Sequence, residues 1–230
     1  MKLLAFETAT EACSVAVYVD GEVSERFDLA PRRHAELALP WADEVLAEAG
    51  IAKSQLDAIA VGRGPGAFTG VRLAIAVAQG IALALDRPVL PVSTLAALAM
   101  RADGDRILAS IDARMGEVYL GAFSRRGDDL VALDDEVVVK PDDATIPEGD
   151  SWHGVGTGFA AAEAALSLRL HGRLATVDAV ALPHAADVAR LAALAFARGE
   201  AVAAERIEPA YLRNNVALTL AEQQALRAKG

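Results

Sequence analysis

At 230 residues, with 53% hydrophobic and 23% charged residues, the chain can bury the core of one large or two small domains. A formal net charge of −10, with no Lys or Arg run longer than the pairs Arg32-Arg33 and Arg125-Arg126, makes the chain by itself a poor candidate for holding RNA. The single cysteine, Cys13, excludes an intrachain disulfide and a cysteine-rich metal site, and the four scattered histidines form no HxxxH or HExxH pair, so no metal site is expected.

In chain order, Leu3 to Glu7 and Ala12 to Val19 read as strands joined by a small polar turn, and Asp20-Gly21 gives a hairpin into Glu22 to Leu29. The N-terminus shows no leader pattern, which makes the cytoplasm the expected location. Ala35 to Ala49 has a helical pattern in which Leu37, Trp41 and Val45 share a face; Pro40 is expected to kink this helix or confine it to the residues after Pro40. The strand Ala58 to Val61 leads into Gly62-Arg63-Gly64-Pro65-Gly66-Ala67-Phe68-Thr69-Gly70, followed by an apolar helix from Val71 to Leu85. Val89 to Val92 is a short strand, and Ser93 caps a helix running to Met100. A second pass of the same kind starts at Ile107: strand, turn carboxylate (Asp112, matching Glu7), strand, hairpin. Further on, His153 to Gly156 and Leu174 to Val177 read as strands, and Phe159 to Leu170 and Ala185 to Arg198 as helices. The expected division is a first lobe over 1–103, a second over 104–215 and a tail over 216–230, in an α/β chain with mixed sheets flanked by helices.

The glycine run lacks the Lys-Ser/Thr pair of a phosphate-binding P-loop, so a tight strand-to-helix turn is its plainer reading. The helix after it carries only Arg72 and Gln79 as polar residues and must be covered on several sides. Small residues line two of its strips, Ala74, Ala78 and Ala82 on one and Ala76, Gly80 and Ala84 on the next, so another helix can come close. At 15 residues rich in alanine, this segment is too short for a convincing membrane span.

Two halves that each open on a hairpin after a carboxylate-bearing turn resemble the actin, hexokinase and Hsp70 ATPase (ASKHA) superfamily, here with a reduced second lobe. The runs Phe6-Glu7-Thr8-Ala9-Thr10-Glu11, Gly62 to Arg72, Val92-Ser93-Thr94-Leu95 and Ile111-Asp112-Ala113-Arg114-Met115-Gly116 are similar to those of the bacterial TsaB (YeaZ) family, with Pro183-His184-Ala185 and Tyr211-Leu212-Arg213 as later landmarks. That resemblance implies work in forming N6-threonylcarbamoyladenosine (t6A) at position 37 of ANN-decoding tRNAs, as a non-catalytic relative of the transferase TsaD. Thr94 and Leu98 stand where TsaD carries its HxxxH metal pair, and a hydroxyl and an isobutyl group cannot replace two imidazoles.

The resemblance further implies that the first two helices dock on TsaD, or on a second copy of the chain when TsaD is absent. TsaE is then a further partner, and tRNA is met indirectly through the complex. The expected docking residues are Leu37, Trp41 and Val45 on one helix and Val71, Ala74, Ala78 and Ala82 on the other. Glu7, Thr8 and Asp112 are the candidates for a vestigial nucleotide site. No cofactor of the chain's own is expected, although the subunit interface is a place for a nucleotide. No residues are expected to be catalytic. The competing reading is an independent ATPase or peptidase-like enzyme working through Glu7 and Asp112.

Overall fold

The computed structural model describes residues 1–213; the expected tail at 216–230 lies outside them. Its first sheet is built from β1 (Lys2–Glu7), β2 (Ala12–Val19), β3 (Glu22–Leu29), β4 (Ala58–Gly62) and β5 (Val89–Val92), in the order β3-β2-β1-β4-β5. The hairpin strands β1, β2 and β3 are antiparallel, and β4 and β5 add parallel to β1. Parallel strands in the middle of a sheet are covered on both faces, which is why β1 and β4 read as nearly continuous apolar runs.

Period-two alternation divides those runs between two cores. Leu4, Phe6, Ile59 and Val61 face the helices α1 (His34–Glu48) and α2 (Phe68–Leu85). Leu3, Ala5, Ala58 and Ala60 face the other way, onto α5 (Ala185–Ala197). The small side chains on that second face let the alanine-rich α5 pack close to the strands. Pro40 lies inside α1, which runs from His34, so the helix is not confined to the residues after it. It and Glu36, whose carbonyl it deprives of an amide partner, are both exposed, so the lost bond is open to water.

The second sheet contains β6 (Arg106–Arg114), β7 (Glu117–Arg126), β8 (Asp129–Ala132), β10 (Trp152–Val155) and β11 (Leu174–Asp178), in the order β11-β10-β6-β7-β8, with β9 (Val137–Val139) paired to β7. Antiparallel β6, β7 and β8 followed by parallel β10 and β11 repeat the plan of the first sheet strand for strand. The core on one face gathers Leu108, Leu120, Trp152 and Phe159 with Leu166 and Leu170 of α4 (Ala161–Leu170). On the other face, Leu95 and Leu98 of α3 (Thr94–Ala99) pack on Ile107, Ile111 and Phe123.

Packing does not follow the expected 104–215 division. α5 returns to the first sheet, Val202 bridges to Val89 of β5, and Ala204 and Ile207 join the core beneath α2. The chain thus crosses between lobes twice, and α3 and α5 touch in the layer between the two sheets.

The glycine run is packed against the turn between β1 and β2. A Cβ at Gly70 would lie 2.0 Å from the Thr8 carbonyl oxygen, which is backbone and cannot swing aside. Gly70→Ala is therefore expected to destabilise the chain by about 1–3 kcal/mol. A Cβ at Gly80, mid-helix on α2, meets nothing within 4 Å. Gly80→Ala should stabilise by up to about 1 kcal/mol through helix propensity. Urea unfolding of both variants measures the contrast, and equal effects would show that the close approach is not a constraint.

Candidate functional site

The end of β1 delivers Glu7 and Thr8 into the interior. The Glu7 carboxylate accepts the Ala9 amide through Oε1 at 2.7 Å and the Thr94 hydroxyl through Oε2 at 2.8 Å. Thr94 Oγ1 in turn accepts the Gly64 amide at 3.2 Å, while the Thr94 amide donates to the Gly64 carbonyl at 2.9 Å. The Thr8 hydroxyl donates to the Gly70 carbonyl at 2.7 Å. Both side chains are buried, and a Cβ at Gly62 would lie 1.9 Å from a Glu7 oxygen. The turn is closed by its own glycine loop.

Asp112 holds the matching place on β6. Its carboxylate accepts the Arg114 amide at 2.8 Å and the Arg114 guanidinium at 2.9 Å, and its own amide donates to Thr157 Oγ1 at 3.2 Å. Asp112 lines the cleft between the lobes, whereas Glu7 and Thr8 do not. The three residues expected to share a nucleotide site are therefore not brought around one space: the first two are consumed in sealing the turn. Thr94 is tied to Glu7, and Leu98 is buried between α3 and the second sheet.

The cleft has a volume of about 740 Å³. Its walls come from the β1–β2 turn, the segment before α1, the start of α2, the β6–β7 hairpin and residues 209–213. At its mouth, Phe68 and Arg72 of α2 meet Tyr211, from a segment the sequence gives no local reason to place there.

The docking residues divide differently from expectation. Val45, Val71, Ala74, Ala78 and Ala82 are buried against the first sheet and cannot meet a partner directly. The reason is phase: Gly70 is pressed onto Thr8, so the row at four-residue spacing from it, Ala74, Ala78 and Ala82, also points inward. Leu37 and Trp41 remain partly open. The uncovered surface instead carries Leu39 (51% exposed) on α1 and Phe68 (65%) and Leu83 (62%) on α2. Along the same helix lie the exposed Ala76, Gly80 and Ala84 and the partly exposed Leu73, Val77 and Ile81. Arg72 is the one charged residue in all of α2. By length and composition alone this helix could cross a membrane. One row of it, however, is locked into a sheet core, which leaves an apolar face on a folded lobe.

Burial raises the Glu7 carboxyl to about 7 from 4.5, its hydrogen bonds from Ala9 and Thr94 opposing the shift. Between those values the folded chain holds the proton more tightly than the unfolded chain does. The resulting stabilisation is complete below about 4.5 and is lost as pH rises through about 7. The neutral isostere Glu7→Gln removes this dependence. Relative to the parent, its unfolding free energy should climb across that window with a slope of at most about 1.4 kcal/mol per pH unit. Urea midpoints taken at a series of pH values measure it, and a flat difference would sink the assignment.

A family model described as TsaD, tRNA N6-adenosine threonylcarbamoyltransferase, matches residues 28–221. Full-length similarity is to proteins of another name. The Escherichia coli (strain K12) tRNA threonylcarbamoyladenosine biosynthesis protein TsaB is 42% identical, covering 94% of this chain and 96% of that protein. Its Haemophilus influenzae counterpart is 40% identical over 94% and 95% of the two chains. Among solved structures, YeaZ from Pseudomonas aeruginosa superposes with a TM-score of 0.83 at 45% identity, over 92% of this chain and 99% of that one. A second Pseudomonas aeruginosa structure, described as an uncharacterized protein with similarity to peptidase YEAZ, gives 0.86 at 46% identity over the same shares. With its repeated lobes, its sealed turn and these relatives, the chain belongs to the TsaB (YeaZ) family of tRNA threonylcarbamoyladenosine biosynthesis proteins.

Proposed function

We propose that this chain is the non-catalytic subunit that binds and activates the TsaD transferase, and with TsaE supports transfer of the threonylcarbamoyl group to adenosine 37 of ANN-decoding tRNAs. The observation that carries this reading is the uncovered face of α2. It is a rigid, nearly uncharged surface whose Ala76, Gly80 and Ala84 let a second helix approach closely, flanked by Leu39, Phe68 and Leu83 as larger contacts. In the absence of TsaD the same face pairs with a second copy of the chain.

The independent-enzyme reading is not favoured. Glu7 is buried with both oxygens engaged, and Asp112, although it lines the cleft, has its oxygens taken by the Arg114 amide and guanidinium, so neither carboxylate is free to serve as a base or nucleophile. A base or nucleophile must reach the reacting atom within hydrogen-bond distance, and Glu7 is buried and does not line the interlobe cleft.

Gly80→Glu and Leu83→Glu put a charge on the uncovered face, where it stays in water in the free chain and becomes desolvated in a helix contact. Each should leave the melting temperature within a few degrees of the parent's and weaken TsaD binding about thirtyfold or more, the scale of an interface hot spot. Ala78→Glu, aimed into the core, should unfold the chain instead. Size-exclusion of each purified variant mixed with TsaD, alongside a t6A-formation assay, decides the matter. Undiminished co-elution of both surface variants would place the interface elsewhere.

A further inference from the structure

Phe68 and Tyr211, 65% and 56% exposed, are the most exposed aromatic side chains among the described residues. They are not scattered. The Arg72 guanidinium lies between them, 3.2 Å from the Phe68 ring centroid and 4.9 Å from that of Tyr211. It donates to the Phe68 carbonyl at 3.1 Å and to the Tyr211 hydroxyl. This column stands at the mouth of the interlobe cleft, whose lining also contains Arg32, Arg114 and Arg213. Arg114 is paired with Asp112 and Arg213 with Glu117, while Arg32 has no ion-pair partner among the described residues. With Glu117 counted, four arginines stand against three carboxylates, Glu11, Asp112 and Glu117, a small positive excess on a chain of net charge −10. With a screening length of about 8 Å at physiological ionic strength, the groups at the mouth decide what binds there, and the distant acidic surface does not.

We propose that this mouth receives a segment of single-stranded RNA: one base stacks on the Tyr211 end of the Phe68, Arg72 and Tyr211 column, and flanking phosphates meet Arg32, Arg114 and Arg213. Exposed aromatic faces interleaved with guanidinium groups are the chemistry by which unpaired strands are held without reading their sequence. The cleft volume falls within the range of about 300–1,000 Å³ that takes a small ligand, so it admits an extruded nucleotide and not a duplex. A free nucleoside triphosphate gathers its charge at one point and calls for a cradle of donors, but the turn that could form one, at Glu7 and Thr8, is sealed. A strand instead distributes its phosphates, matching Arg32, Arg114 and Arg213, contributed by three separate segments. The RNA contact rests on the reading that the chain works in tRNA modification, and it revises the expectation that tRNA is met only through partners.

The test is fluorescence anisotropy with a labelled single-stranded RNA of about ten nucleotides at low salt. The full chain is titrated alone and in complex with TsaD, with the annealed duplex and unlabelled ATP as competitors. The single strand should bind in preference to the duplex and outcompete ATP. Tyr211→Ala should weaken binding about tenfold. The double variant Arg32→Ala, Arg114→Ala should flatten the dependence of log affinity on log salt by about 1.4, at about 0.7 for each phosphate that is no longer neutralised. None of these substitutions lies on α1 or α2, so co-elution with TsaD should persist, and its loss would move the docking face off those helices and not count against the RNA contact. Absence of RNA binding in both settings, variants indistinguishable from the parent, equal affinity for duplex, or displacement of the labelled strand by an equal concentration of ATP would each overturn the RNA contact.

Discussion

The seating of the glycine loop on the β1–β2 turn is the contact from which most of this structure follows. Gly62 leaves room for the Glu7 carboxylate, and Gly70 lets the first turn of α2 rest on the Thr8 carbonyl, with the Thr8 hydroxyl donating back to Gly70. Because these contacts involve backbone, they set the rotation of α2 about its own axis as well as its position. That rotation decides which of two nearly equivalent small-residue rows becomes core. The row in register with Gly70 is buried against β1 and β4, and the row carrying Ala76, Gly80 and Ala84 is left outside.

Holding a carboxylate in that interior has a cost that the surroundings only partly offset. A hydrogen bond to a charged group contributes about 1.5–3 kcal/mol, and Glu7 receives two, from Ala9 and Thr94. Desolvation still dominates, as the raised carboxyl shows. Thr94 sits at the centre of the arrangement: its hydroxyl donates to Glu7 and accepts from Gly64, and its amide bonds the Gly64 carbonyl, so β1, the glycine loop and α3 are tied at one residue. The second lobe has the same plan in a looser form. Asp112 bonds the amide two residues on, as Glu7 does, but it opens to the cleft and is answered by an exposed arginine.

Much of the fold is legible in local pattern. The short apolar run of β2 and the Asp20-Gly21 turn define the first hairpin, and the run from β4 through the glycines to α2 reads directly as strand, turn and helix. The repetition at Asp112 exposes the duplicated lobe. What resisted is what depends on distant partners. Both small-residue rows of α2 look alike in sequence, and only the contact of Gly70 with Thr8, 62 residues away, separates core from surface. α5 is plainly a helix by its pattern, yet nothing within it says that it belongs to the first sheet. The cleft mouth joins Arg72 to Tyr211 across 139 residues, so no motif could reveal it.

The two uncovered features of the molecule meet at the start of α2. Phe68 belongs both to the apolar face of that helix and, through Arg72, to the column at the cleft mouth. A helix packed against α2 would remove water from Phe68 and lower the local dielectric around the neighbouring guanidinium, and a cation in a drier setting interacts more strongly with an adjacent ring or an anion. Docking on one side and binding at the other would then be linked, and linkage between equilibrium affinities is reciprocal. The glycine loop would supply the mechanical basis for that link. With Gly70 pinned to the β1–β2 turn, the first turn of α2 cannot rotate to separate the two surfaces, and whatever occupies one acts on a side chain shared with the other.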